Sequence, residues 1–308
     1  MSRTAVHLID GNALGYASHL GTKLSTGSMP TQAIFGLIRT MRLLQVESPR
    51  SRKIVLWDGS AKWRKEINPA YKESRKRTAE QLKVREEYAR QVPDMRRALT
   101  YLGIDQVLSP NCEADDLAAT YVAVFRKRDL PVTMVTGDRD WLQLVREGVD
   151  WFDPIHDRYC NHENFAEFTG FRDPEQFVDA KALQGDPSDN IKGVGRIGEV
   201  GAKKLLAAYG RVGNFLRMYD LNRERMIDLP IDWIKFAENL DGRRDRFFEN
   251  RKIMELKPNA PGVKDAQVTK GAQDFEAFRR LCEELAFLSI LGQFDEWIRP
   301  FTTIRNAA

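Results

Sequence analysis

Cysteine is scarce in this chain and long apolar runs are missing. The three cysteines, Cys112, Cys160 and Cys282, stand far apart and are odd in number. That pattern excludes a disulfide framework and a Cys-x-x-Cys zinc site, and it fits a reducing compartment such as the cytoplasm. No stretch reaches the roughly 20 apolar residues that a membrane helix needs. The opening "MSRTAVHLIDGNALGY" meets Asp10 before an apolar run of signal length develops. Neither repeats nor low-complexity tracts are present. The net charge is +4 over 308 residues, too little to select a partner before the charges are located. A chain of this length can bury a core as one large domain or two ordinary ones.

What is present in excess is carboxylate at particular places. Three short apolar runs each end in aspartate: "AVHLIDGN" at Asp10, "KIVLWDGS" at Asp58, and "VTMVTGDRD" at Asp138 and Asp140. Separated by helical patterns, such runs predict buried parallel strands of an α/β domain. The functional crevice of an open parallel sheet lies beyond the carboxyl ends of its strands, so one edge should collect these side chains. "CEADDLAATYVAVFRKRD" adds Glu113, Asp115 and Asp116 at the start of an amphipathic helix. One helix cap needs one carboxylate, and crowded acids raise one another's pKa unless a cation joins them. "QGDPSDN" adds Asp186 and Asp189.

Nine oxygen donors without a partnering histidine or cysteine do not suit zinc. They suit two Mg²⁺ ions, with Mn²⁺ as a substitute, clamping the attacking and leaving oxygens of a phosphodiester.

Cationic charge is also localised. From Lys62 to Arg97 there are twelve Lys and Arg against six Asp and Glu, mixed with Trp63 and Tyr71. Opening directly after a carboxylate-bearing strand, this tract is expected to meet phosphate and not only solvent. Downstream, "NFAEFTGFRDPEQFVDAKALQGD" predicts two short helices, "KPNAPGVKDAQVTKGA" an exposed connector, and "FEAFRRLCEELAFLSILG" one core helix.

"DNIKGVGRIGEVGAKKLLAAYG" contains a literal G-x-G-x-x-G at Gly193, Gly195 and Gly198. A dinucleotide fingerprint needs a strand before the first glycine and an acidic residue on the next strand, and neither is predicted here. The glycines are expected to form a tight turn between helices.

On "LIDGNAL", "PAYKESR", "CEADDLAA", "TGDRDWLQLV", "ALQGDPSDNIKGVGRIGEVGAKKLL" and "CEELAFLSILGQF", the chain resembles the 5′-nuclease superfamily of flap endonucleases and 5′→3′ exonucleases. The likeness runs almost end to end, towards the 5′-nuclease domain of bacterial DNA polymerase I and stand-alone bacteriophage enzymes. It implies a PIN-like α/β domain over residues 1–180, with an arch at about 60–105. A helical helix–three-turn–helix region over residues 181–308 is implied to follow. Asp10, Asp58, Glu113 and Asp115 are implied for a first metal ion. Asp116, Asp138, Asp140, Asp186 and Asp189 are implied for a second or its outer shell.

Tyr71 is implied to stack on a base, Lys72 and Arg75 to balance charge on the reacting phosphate, and Arg64 to contact a further phosphate. Lys192, Lys203 and Lys204 with the three glycines are implied to grip duplex DNA, with a monovalent cation such as K⁺ at the hairpin. The chain carries Lys192 where members commonly have Pro, and Val200-Gly201 where they have Lys-Thr.

The expected partner is DNA with a 5′ single-strand/duplex junction, extending to RNA–DNA hybrid. The protein is expected to be a monomer in a bacterial or phage-infected cytoplasm. Two other readings share parts of this pattern. A PIN-type ribonuclease, or RNase H-like removal of RNA primers, would use the same acidic site. A non-catalytic DNA-junction-binding module would gain nothing from an acidic cleft.

Overall fold

The structure, a computed structural model, describes residues 5–21, 23–73, 78–226 and 228–303. Seven strands form the central sheet: β1 Val6–Asp10, β2 Arg52–Trp57, β3 Asp105–Leu108, β4 Val132–Val135, β5 Val149–Asp153, β6 Arg158–Cys160 and β7 Gln267–Thr269. Their spatial order is β7-β3-β2-β1-β4-β5-β6. The five inner strands run parallel, while β7 and β6 close the edges antiparallel. The three strands expected from sequence are β1, β2 and β4, which form the centre of the sheet. Succession proceeds outward from β1 through β2 to β3, then restarts at β4 on the other side. The crevice at that switch point lies between β1 and β4, the place where such sheets bind ligands.

Helices cover both faces. The first group is α1 Gly11–Gly21, α2 Gln32–Glu47, α3 Lys62–Ile67, α4 Ala79–Tyr101 and α5 Ala114–Arg126. Alternate strand residues go to opposite faces, as pleating requires. Leu8, Leu56 and Met134 join Leu117 and Val122 of α5, whereas Ile9, Val55 and Val135 join Leu37 and Met41 of α2 and Met95 and Leu99 of α4. Burial on both sides explains why these strands read as continuous apolar runs.

Next come α6 Phe165–Thr169 and α7 Pro174–Gln184, the two short helices expected from sequence, followed by α8 Glu199–Tyr209. Then α9 Val212–Asn222, α10 Ile231–Ala237 and α11 Arg243–Met254 pack around Phe215, Phe236 and Phe247. The chain ends in α12 Phe275–Glu284, α13 Leu288–Leu291 and α14 Phe294–Ile298.

Three expectations need correction. The connector after α11 is exposed as expected, Val268 being 50% exposed, but that residue also pairs with Val107 as edge strand β7. The final helix is broken: Phe287 N bonds back to Cys282 O at 2.8 Å, the wrap that ends a helix, and Ala286 between them has φ of 52°. Residues 267–303 therefore do not stay with the second helical group. Phe278, Leu281 and Trp297 instead fill the core under α2 and α4.

Candidate active site

The acidic side chains meet at the carboxyl edge of the sheet. Asp10 ends β1, where its Oδ1 accepts from Ala13 N (2.9 Å) and its Oδ2 from Thr136 Oγ1 (3.0 Å). Asp58 follows β2 and caps α5, accepting from Ala114 N at 2.9 Å. Asp115, in the first turn of α5, accepts from Trp141 Nε1 at 2.7 Å. Asp138, just past β4, accepts from Asp140 N at 2.7 Å. Each carboxylate is thus aimed by one or two donors from its neighbouring element.

The like charges act on one another. Burial, then Asp58 and Asp138, pushes the Asp10 pKa up from 3.8 to about 7. Burial raises Asp58, helped by Glu113 and Asp138. Asp58 is itself exposed to solvent, with Glu113 and Asp138 close enough to act on its charge. Asp115 is raised well above the usual carboxylate range, by burial and then by Asp138 and Asp58. Asp138 is also raised by burial, against the pull of Lys181 and Lys72. Asp186 lies low: burial alone would raise it, but Ser188 donates from N (2.8 Å) and Oγ (2.6 Å), and Lys181 stands near.

A cleft of about 210 Å³ opens here, lined by Tyr71, Lys72, Asp115, Asp138, Asp186 and Asp189 among others. Asp186 and Asp189 reach it from a two-residue antiparallel ribbon, Gly185–Asp186 with Ile191–Lys192, where sequence suggested only helix or loop. Two ammonium groups stand among the acids. Lys72 Nζ contacts Glu113 and lies 3.8 Å from Asp189, and Lys181 Nζ contacts Asp140. Burial would lower the Lys72 pKa, but Glu113 and Asp189 outweigh it and hold the group charged.

Among the described residues, no group of three carboxylates, histidines or cysteines forms a ready-made ion cage. The donor set nonetheless fits a hard divalent cation. It is all oxygen, it is crowded until charge is added, and two lysines now supply part of that charge.

Three assigned roles are corrected. Arg64 is 2% exposed, and four of its five guanidinium N–H groups bond Asp116, Glu113 and the Ile253 carbonyl. Buried and paired in this way, it holds the protein together and does not stand out towards a phosphate. Asp116, 0% exposed, accepts from Arg64, from Trp63 Nε1 (3.3 Å) and from Glu113 N (3.2 Å). It is the partner of Arg64 and does not line the cleft as a direct ion ligand. The Tyr71 ring is 4% exposed, packed with Ile191, Ile253 and Met254, so it presents no face for a base. Its hydroxyl reaches Glu113 (3.2 Å) and Asp189 (3.1 Å). Arg75 lies outside the described residues.

Beside the cleft, α7 and α8 form a helical pair joined through the glycine loop. The short strand Ile191–Lys192 leads into the glycines, but it pairs antiparallel with Gly185–Asp186 and no parallel βαβ unit surrounds it, so a dinucleotide fingerprint is excluded by context. A Cβ on Gly193 would lie 2.4 Å from Gln184 O. Gly195, at φ of 109°, has the Arg243 guanidinium against it, 2.7 Å from where a Cβ would sit. Gly198 caps α8. Lys192, Arg196 and Lys204 are exposed, while Lys203 pairs with Glu199 at 2.6 Å and lies over the Phe171 ring.

Sequence reading missed Lys181, Trp141 and Arg243. A lysine five positions before Asp186 was a findable signal. The other two become visible only when distant segments meet.

Fold and site define an α/β protein with an acidic cleft at the switch point of a mainly parallel sheet. The chain belongs to the 5′-3′ exonuclease family: the model of its N-terminal resolvase-like domain matches residues 5–170, and that of its C-terminal SAM fold matches residues 172–274. The resemblance read from sequence is thereby borne out. A 5′-3′ exonuclease of Aquifex aeolicus is 32% identical over 247 residues, covering 77% of this chain and 83% of that protein. The thermostable DNA polymerase I of Thermus filiformis is 31% identical over 292 residues, 94% of this chain. The chain spans about a third of that polymerase's length, 33%.

The bacteriophage T5 5′-exonuclease, solved with zinc bound, superposes with a TM-score of 0.68 at 22% identity, covering 92% of this chain and 99% of that one. A T5 flap endonuclease complex with DNA and metal ions gives 0.65 at 22% identity, over 97% and 98%. At that identity the likeness is one of fold.

Proposed function

We propose that this chain is a structure-specific 5′ nuclease, cutting as a 5′→3′ exonuclease and a 5′-flap endonuclease, in primer removal or DNA degradation. The carrying observation is the set of like-charged carboxylates, raised in pKa, at the switch point of a parallel sheet with Lys72 beside them. Asp10, Asp58, Glu113, Asp115, Asp138, Asp140, Asp186 and Asp189 would hold two divalent ions, Mg²⁺ with Mn²⁺ as substitute. When bound, such ions lower the pKa of water and stabilise the charge of a phosphodiester undergoing in-line displacement.

The chain's own residues do the rest. Lys72, held charged, brings a cation to the rim, where negative charge grows on the phosphate. Lys181 keeps Asp140 oriented, and Trp141 keeps Asp115 oriented. Exposed Lys192, Arg196 and Lys204 track the backbone of duplex DNA without reading sequence. The residues present do not fit K⁺ on the Gly195 side of the hairpin, which the Arg243 guanidinium covers, and nothing is routed through that ion.

The substrate is DNA with a 5′ single-strand/duplex junction, extending to RNA–DNA hybrid, and the protein acts as a monomer in the cytoplasm. Among the described residues no helix is long and apolar enough to cross a membrane. The division into a nuclease unit over residues 1–180 and a gripping unit from 181 onward, with residues 267–303 packing back on the nuclease unit, belongs to the same proposal.

The test is product analysis on a labelled double-flap DNA with Mg²⁺. Release of the flap is expected, with Asp58→Asn and Asp138→Asn slower by at least about 100-fold. Metal-independent binding without turnover would favour the junction-binding reading. Cleavage confined to RNA would favour the ribonuclease one.

A further inference from the structure

The Asn68–Glu73 turn, which carries Tyr71 and Lys72, is joined to the Asp186–Asn190 loop by three separate bonds. Lys72 N donates to Asp189 O at 2.9 Å, Tyr71 OH donates to Asp189 Oδ2 at 3.1 Å, and Asn190 Nδ2 donates to Ala70 O at 2.8 Å. Asn190 sits in the left-handed region, φ 60° and ψ 34°, a conformation asparagine tolerates better than most residues. Its own N–H bonds to Pro187 O at 3.2 Å, which turns the side-chain amide towards the Asn68–Glu73 turn. Lys72 is also left-handed, φ 60°, and a lysine holds that strained geometry only when its surroundings impose it.

We propose that Asn190 is a positioning residue: its amide latches the Lys72 turn to the loop bearing Asp186 and Asp189. The latch fixes the ammonium of Lys72 relative to the acidic cluster. Asn190 touches neither substrate nor the reacting atoms and acts through the backbone of Ala70. A displacement of about 1 Å in a catalytic group can cost up to about 100-fold in rate, so a single amide bond at this place has leverage on turnover. The loop also leads directly into the glycine hairpin, so DNA gripped there and the cation at the rim are tied by one short piece of chain.

The inference rests on the nuclease reading, and two arms separate their failures. Asn190→Gly keeps the left-handed backbone and removes the latch. Asn190→Asp keeps the shape but presents an acceptor to the Ala70 carbonyl. Cleavage of 5′-flap DNA with Mg²⁺ is expected to be slower by about tenfold at saturating substrate in both variants. Half-saturating DNA should change less than about twofold, because the exposed hairpin cations are untouched.

In the second arm, which needs no turnover, limited trypsin digestion should cut after Lys72 faster in both variants than in the parent protein. Wild-type rates in both variants, or a loss confined to half-saturation, overturn the proposal. Unchanged digestion after Lys72 overturns it even if the parent protein cleaves no DNA, an outcome that separately ends the nuclease reading.

Discussion

Arg64 and Asp116 face each other as a two-pronged ion pair, with Nη1 2.7 Å from Oδ2 and Nη2 2.9 Å from Oδ1, sealed from solvent. The pair ties the start of the cationic tract to the first turn of α5, which also carries Glu113 and Asp115. Two residues of apparently functional type are therefore spent on holding the floor of the site.

Removing one member strands the other as a buried charge. Arg64→Ala or Asp116→Ala is expected to destabilise the protein by about 3–5 kcal/mol, read as a lower urea midpoint. Arg64→Lys should not rescue it, since an ammonium cannot span Asp116, Glu113 and the Ile253 carbonyl together. The paired change Arg64→Met with Asp116→Leu should recover most of the loss. An Arg64→Ala protein of full stability but weakened DNA binding would restore the phosphate role.

Without divalent metal, the contribution of the acidic cluster to stability should fall as pH rises from about 4 to about 7. The sign follows from the raised carboxylates. Asp10 titrates near 7 in the folded protein against 3.8 ordinarily, so the folded state binds more protons through that window. Its favourable contribution is complete below about pH 4 and lost as pH passes through about 7. Asp115 and Asp138 push the same way. Excess Mg²⁺ should flatten the slope by supplying the missing positive charge. Thermal melts across pH in EDTA and in Mg²⁺ measure this, and parallel profiles in the two buffers would contradict it.

Gly193→Ala places a methyl 2.4 Å from the Gln184 carbonyl oxygen, which is backbone and cannot swing aside. The expected cost is about 1–3 kcal/mol. Gly198→Ala meets nothing within 4 Å and should cost under about 1 kcal/mol, mostly through a poorer helix cap. Denaturation of the two variants side by side checks the ordering.

DNA affinity should depend steeply on salt, and Lys192→Ala and Lys204→Ala should each reduce the slope of log K against log salt by about 0.9. Lys203→Ala should change it less, because that ammonium is already paired with Glu199. Titrations from low to moderate salt, with Ca²⁺ in place of Mg²⁺ to prevent cutting, give the slopes.

Much of this was legible in sequence because the signals are local. Apolar runs buried on both faces identify β1, β2 and β4, and the aspartate closing each run falls by geometry at one edge. The glycine loop does link helices α7 and α8, although the two-residue strand Ile191–Lys192 just before Gly193 was too short to be read from the pattern. Strand β7 was not legible: Gln267–Thr269 is three residues long and becomes a strand only because β3 offers it an open edge. The break at Ala286 was hidden for a related reason, as the helical spacing of apolar residues continues across it.

By itself the sequence determined the α/β class, the convergence of acidic groups on one edge, and the need for positive charge among them. Period, run length and residue type carry that information without any long-range contact. Only the tertiary structure decided which charged groups face the cleft and which are locked in pairs. Arg64 and Lys72 are eight positions apart in the same cationic tract, yet one is buried against Asp116 and the other stands at the rim. A charge's role depends on the partner it meets across the fold and on the water it loses there, and neither quantity is written in its neighbours along the chain.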